Sequence, residues 1–149
     1  MTMDIKETQA EIAENFSFLP QWDERYAYLI ELGQKMDPFP EEYRTAENMV
    51  RGCQSTVWLH RECRDGVLYL QADSDSLIVK GLAALLLHIF SGQPAKDALR
   101  ADLTFLEQTG LHNHLSSQRT NGLMAMVEEI KAFAGRCAAG NGTSQQPDA

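Results

Sequence analysis

A chain of 149 residues that is 44% hydrophobic is long enough for one domain with a substantial core and too short for two. Its formal charge of −8 and pI near 4.9, with no basic run, exclude the usual electrostatic routes to nucleic acid and to anionic membranes. No apolar core of a signal peptide is expected between Met1 and Asn15, and the most apolar stretch, Leu77 to Phe90, is interrupted by Lys80 and too short to span a bilayer.

In chain order, Met3 to Phe16 predicts a short helix. Trp22, Tyr26, Leu29, Ile30 and Gly33 fall at helical spacing, so Gln21 to Met36 predicts an amphipathic helix. Asp37-Pro38-Phe39-Pro40 breaks it, and a polar loop is expected up to Asn48. Met49 to Arg51 is expected to form a short strand. Thr56 to Glu62 and Val67 to Ala72 are rich in β-branched, aromatic and leucine residues, and Asp65-Gly66 between them is a hairpin signal. Asp73-Ser74-Asp75-Ser76 offers N-cap candidates, which is also how the paired carboxylates Asp73 and Asp75 are explained. The helix that follows, up to Ser91, is apolar nearly all round and is expected at the centre of the core. Gly81 within it costs about 1 kcal/mol against alanine, which predicts a close packing contact. Gly92 stops that helix and Pro94 opens a short one. Asp102 is expected to cap another, which Gly110 ends. Leu123, Met126, Val127, Ile130 and Phe133 form the stripe of a last helix, Ser117 to Gly135. The fold class is α+β: a small antiparallel sheet of about three strands covered by helices. One domain, 1–135, is followed by a disordered tail, 136–149.

Chemistry centres on the three cysteines. An odd, scattered set does not make a disulfide framework, which points to a cytoplasmic, reducing setting. Cys53 follows Gly52 at the foot of a predicted strand, and Gly52 permits an unusual backbone turn that aims a side chain outward. Arg51, two residues away, is placed to stabilise a thiolate. The alternative, that Cys53 is a small buried hydrophobe, stays open on spacing alone. Cys53 and Cys63 flank an extended segment that would hold their Cα atoms ~30 Å apart, far beyond disulfide reach. Cys63 sits against the hairpin turn and Cys137 in the frayed C-terminus, neither in a recognisable setting, and both are expected to be ordinary unpaired cysteines. His60, His112 and His114 are expected as surface or loop residues and His88 as a hydrogen-bonded core histidine. The His112-Asn113-His114 spacing, even with Cys53, falls short of a zinc signature. Phosphate loops, serine elbows and zinc-helix motifs are absent.

Four motifs, in order, resemble the SufE-like cysteine desulfuration proteins. Trp22-Asp23-Glu24-Arg25-Tyr26 through Ile30-Glu31-Leu32-Gly33 is similar to that family's opening helix. Gly52-Cys53-Gln54-Ser55-Thr56-Val57-Trp58 resembles its active-site loop and strand. Asp73-Ser74-Asp75 with Ile78-Val79-Lys80-Gly81-Leu82 resembles the start of its central helix. Leu115-Ser116-Ser117-Gln118-Arg119-Thr120-Asn121-Gly122-Leu123 resembles the entry to its last helix. The likeness covers Phe16 to Phe133 and gives Cys63 and Cys137 no role.

The resemblance implies a fold similar to U-type iron–sulfur scaffold proteins and a sulfur acceptor for iron–sulfur cluster assembly. Cys53 would take sulfane sulfur as a persulfide from a SufS-type cysteine desulfurase, stimulate that enzyme, and pass the sulfur to a SufBCD-type scaffold complex. It implies a transfer partner rather than a stand-alone enzyme. No metal or cofactor of its own is implied, the pyridoxal phosphate belonging to the desulfurase, and a monomer or weak homodimer is expected. Arg51, Gly52, Gln54 and Ser55 would serve the loop, with Asp75 and Arg119 restraining it or lining the docking surface. For those last two, a helix cap and a surface ion pair are the structural alternatives. Two other functions stay in view: a metal or iron–sulfur scaffold, and an activator that works by docking alone.

Overall fold

The computed structural model describes residues 3–140. Helix α1 (Ile5–Ser17) starts at a reciprocal capping box in which Asp4 and Glu7 each accept the other's backbone N–H. Helix α2 (Trp22–Gln34) follows, and the stretch after Pro38 is broken into two 3₁₀ turns, Glu41–Tyr43 and Ala46–Asn48. Strands β1 (Val57–Arg64) and β2 (Val67–Ser74) form an antiparallel hairpin. Its turn is Asp65-Gly66 with φ of 52° and 76°, the positive pair that this sequence favours. The sheet is smaller than expected. The third strand is reduced to a single bridge from Met49 to Trp58, with Val50 N–H donating to Val57 O at 2.9 Å.

Helix α3 (Leu77–Phe90), capped by Ser76, is the centre of the core, with Leu82, Leu86, Ile89 and Phe90 fully buried. Short helices α4 (Ala95–Arg100) and α5 (Phe105–Thr109) lead to α6 (Ser117–Ala138), capped by Ser116. Directly paired residues share a face of the hairpin. Val57, Leu59 and Cys63 with Ala72, Leu70 and Leu68 therefore bury one face under α3 and α6. Arg61 lies on that face too, its guanidinium ion-paired to Glu129 of α6. The other face, with Trp58 and His60, is covered by the 3₁₀ segment: Tyr43 stacks on His60 at 3.6 Å and Arg44 lies over Trp58.

Several expectations are corrected. Cys63 and Cys137 are joined in a disulfide, their Cα atoms 5.7 Å apart and both residues 3% exposed. They meet because α6 runs alongside β1, a tertiary relation that no local spacing encodes. Helix α6 continues through Cys137 to Ala138 instead of ending at Gly135; of the expected tail, residues 141–149 lie outside the described residues. His60 is 6% exposed rather than superficial. His88 is the reverse, an exposed residue with Nε2 3.2 Å from Glu11 of α1, because it falls on the one strip of α3 that the core leaves open. Asp102 does not cap α5; Thr104 holds that position, and Asp102 O accepts from Gln9 Nε2 at 2.8 Å. Neither Asp73 nor Asp75 caps α3. The strand runs two residues further than expected, so Asp73 belongs to β2 and pairs with Arg44 at 2.7 Å and Lys80 at 3.3 Å. Burial pushes the Asp73 carboxyl up, but hydrogen bonds from Arg44, the Ser74 N–H and Lys80 outweigh it and hold the group below its ordinary value.

Candidate functional site

Cys53 lies in a loop, Arg51 to Thr56, whose ends are brought together by the Val50–Val57 hydrogen bond. Gly52 turns the chain there at φ 92°, in the left-handed region that side chains disfavour. The turn directs Cys53 onto α6, where Sγ rests 3.6 Å from Gly122 O. Gly122 lies directly against this seat: a Cβ added there would be in van der Waals contact with Sγ at 3.4 Å. Beside the thiol is a cavity of about 130 Å³ lined by Cys53, Gln54, Ser55, Ser76, Val79, Gln118, Arg119 and Gly122. It exceeds the about 30 Å³ share of one water molecule, so a second sulfur on Cys53 has room inside.

The far end of the loop is clamped to the start of α3. Thr56 N–H donates to Asp75 Oδ1 at 3.1 Å, Asp75 N–H donates back to Thr56 O at 3.2 Å, and Ser74 Oγ donates to the same carbonyl at 2.8 Å. Asp75 therefore acts on the loop and not as a cap. Among the described residues no comparable clamp holds Arg51, which is exposed and absent from the cavity lining. Gln54 is exposed and Ser55 half-buried, and both line the cavity. Arg119 reaches the cavity from the first turn of α6, where its N–H bonds the Ser116 cap at 3.2 Å. The structure thus brings together Cys53, Gln54, Ser55 and Arg119, with Gly52 as pivot and Asp75 behind the hinge. Arg51 is left outside. His112 and His114 take no part: their Nδ1 atoms lie 3.0 Å from Leu106 O and 3.1 Å from Gly110 O, and the His114 ring stacks on Trp22.

Residues that sequence reasoning passed over include Gly122, Ser76 and Gln118. Gly122 had a usable signal, since a glycine inside a helix costs about 1 kcal/mol and so calls for a packing reason. Among the described residues no group of three or more His, Cys, Asp or Glu side chains gathers as a metal site.

Two electrostatic influences oppose each other at Sγ. The N-terminal turns of α3 and α6 that line the cavity favour negative charge there, whereas burial favours the neutral thiol. Burial wins, pushing the Cys53 thiol above its ordinary value. The raised value means that the fold favours the thiol and loses that stabilisation as pH rises from the ordinary cysteine range through the higher folded value. Iodoacetamide alkylation of Cys53 should therefore follow a pH profile displaced upward from that of the same protein unfolded in guanidinium. Gly122→Val should evict the side chain, return the profile toward the unfolded one and speed alkylation at neutral pH about tenfold. Identical profiles for wild type and Gly122→Val would refute the seat.

No helix is long and apolar enough to cross a membrane among the described residues. Comparison with known proteins places this geometry in a family. The SufE model, described as an Fe–S metabolism associated domain, matches residues 10–134. A SufE-like protein of Rhizobium meliloti is 46% identical over 129 residues, covering 83% of this chain and 92% of that protein. A second, from Rhizobium etli, is 41% identical over 129 residues, covering 83% and 87%. The solution structure of a hypothetical protein from Thermus thermophilus superposes with a TM-score of 0.73, covering 89% of this chain and 96% of that one. At 23% identity that likeness speaks to the fold alone. With a family match across nearly all of the described chain and relatives above 40% identity, the protein belongs to the SufE family and has a role in iron–sulfur metabolism and sulfur transfer.

Proposed function

We propose that the protein is a sulfur acceptor and carrier: Cys53 takes sulfane sulfur from a SufS-type cysteine desulfurase, which it stimulates, and yields it to a SufBCD-type scaffold in the cytoplasm. The observation that carries this reading is that Cys53 is the one free thiol of three, seated at a loop tip over a cavity with room for one more sulfur.

The transfer is favoured by the loop leaving its seat, because burial pushes the half-buried thiol toward its neutral form and a thiolate is the nucleophile. Outside the pocket Cys53 releases its proton to water, and the thiolate attacks the outer sulfur of the donor persulfide. The donor's S–S bond breaks, its thiolate departs with the electron pair, and a new S–S bond leaves a persulfide anion on Cys53. On return, that anion sits where Arg119 and two helix N-termini face the cavity. The neutral thiol gains nothing from those charges, so the loaded form is retained more firmly than the empty one. The other two cysteines are bonded to each other at the far end of α6, so no neighbouring thiol attacks the persulfide, and a cluster scaffold built on several cysteine ligands is disfavoured.

The test is intact mass spectrometry after incubation with a SufS-type desulfurase and free cysteine, followed by peptide mapping. A gain of ~32 Da, one sulfur on the accepting thiolate, mapped to Cys53 is the expected result. No gain with an active desulfurase would support the docking-only activator instead.

A further inference from the structure

We propose that Cys63 and Cys137 are a dithiol–disulfide couple that sets how firmly α6 is held to the sheet, and that this couple works independently of Cys53. The bond joins the inner face of β1 to the last turn of α6 across 74 residues of chain. Beyond Phe133 and Ala134, Cys137 is the only buried residue among those described in that helix end. The disulfide is thus what anchors the last turn, and without it Ala138 to Gly140, already exposed, have little reason to stay docked.

Both residues are buried, so exchange with a small thiol requires the end of α6 to open. A surface groove of about 320 Å³ is lined by Asp65, Gly66, Val67, Pro94, Lys96 and Ala138, chain neighbours of the two cysteines among them. Ala138 follows Cys137 in the chain, and Asp65 is two residues from Cys63. Opening of one helical turn would expose Cys137 to a small thiol or disulfide in that groove. In the oxidising direction, the Cys137 thiolate attacks a low-molecular-weight disulfide, forming a mixed disulfide and expelling one thiolate. The Cys63 thiolate then attacks the Cys137 sulfur and expels the second. The protein pair gives up two electrons and two protons, and the small disulfide becomes two thiols.

Insulation from Cys53 follows from where the anchors sit along α6. Gly122, the seat of Cys53, is about 22 Å from Cys137 at 1.5 Å per residue. Between them the helix is fastened by the Arg61–Glu129 pair and by buried Met126, Val127 and Ile130. Loss of the terminal tie removes a constraint on the unfolded chain and loosens one helix end, and it leaves the cavity in place.

The experiment equilibrates the protein with reduced and oxidised glutathione at varied ratios, traps thiols with iodoacetamide in guanidinium, and weighs the products. One trapped thiol in the oxidised form and three in the reduced form are expected. Thermal unfolding of the two forms, repeated in Cys53→Ser so that no adduct at Cys53 contributes, should show the melting temperature falling by roughly 10 °C on reduction. The native alkylation rate of Cys53 should stay within about twofold between forms. A Cys63→Ala/Cys137→Ala variant should melt with the reduced protein and ignore glutathione. Three thiols at every glutathione ratio, equal melting temperatures, or a Cys53 rate that tracks the couple would each overturn the proposal. None of these readouts requires that Cys53 carry sulfur, so they decide the couple's role separately from the carrier reading.

Discussion

Cys53→Ser should cut sulfur acceptance by on the order of a thousandfold or more and return the desulfurase to its unstimulated rate, while leaving the fold intact. The substitution is close to isosteric, and the serine hydroxyl can donate to Gly122 O where the thiol now lies at 3.6 Å. The loop therefore keeps its seat, and the cavity, the Asp75–Thr56 clamp and the docking surface are unchanged. What disappears is the nucleophile: an alcohol neither ionises near neutral pH nor exchanges with a persulfide sulfur. Two measurements separate chemistry from docking, the sulfur recovered on the protein by mass and the rate of alanine release by the desulfurase. Retained stimulation without bound sulfur would make the protein a docking activator. Comparable values for wild type and Cys53→Ser in both measurements would refute the carrier mechanism.

What the sequence discloses about this molecule depends on whether the cause is local. The hairpin is legible because Asp65-Gly66 accepts positive φ and the flanking segments are rich in β-branched, aromatic and leucine residues. α3 is legible because no soluble helix with so few polar positions can lie on a surface. Cys53 is legible as a candidate because a glycine that can turn the chain precedes it. The same sequence is silent where a feature arises from two distant segments meeting. The Cys63–Cys137 bond needs α6 laid along β1. The burial of His60 needs a loop aromatic, Tyr43, to dock on the outer face of the sheet. The pocket at Cys53 draws one wall from α3 and another from α6, so its volume and the upward push on the thiol have no local signature. Gly122 is the intermediate case. Its presence inside a helix asks for a reason, and only the fold shows that a sulfur atom lies 3.4 Å from where its Cβ would be.

Gly81→Ala should cost the protein about 3 kcal/mol, the upper end of what overpacking usually produces. At this position α2 and α3 cross with backbone against backbone. A Cβ on Gly81 would lie 2.2 Å from Leu29 O and 2.6 Å from its carbonyl carbon, while a Cβ on Gly33 would lie 2.9 Å from Gly81 N. No rotamer relieves a clash with a main-chain carbonyl, so the two helices must separate by more than an ångström. That separation breaks the contacts of fully buried Leu29 and Leu82 on either side. Alanine's better helix propensity returns about 1 kcal/mol, too little to offset it. The net loss should lower the melting temperature by roughly 10 °C. Gly66→Ala is the contrasting case: nothing lies within 4 Å of its Cβ, and only φ of 76° opposes it, so about 1 kcal/mol is expected. The crossing also bears on the site, because Val79 and Ser76 line the Cys53 cavity within a turn and a half of Gly81. Gly81→Ala should therefore speed Cys53 alkylation in the still-folded protein, and Gly66→Ala should not. Equal melting temperatures for the two variants would show that α2 and α3 do not cross as closely as described.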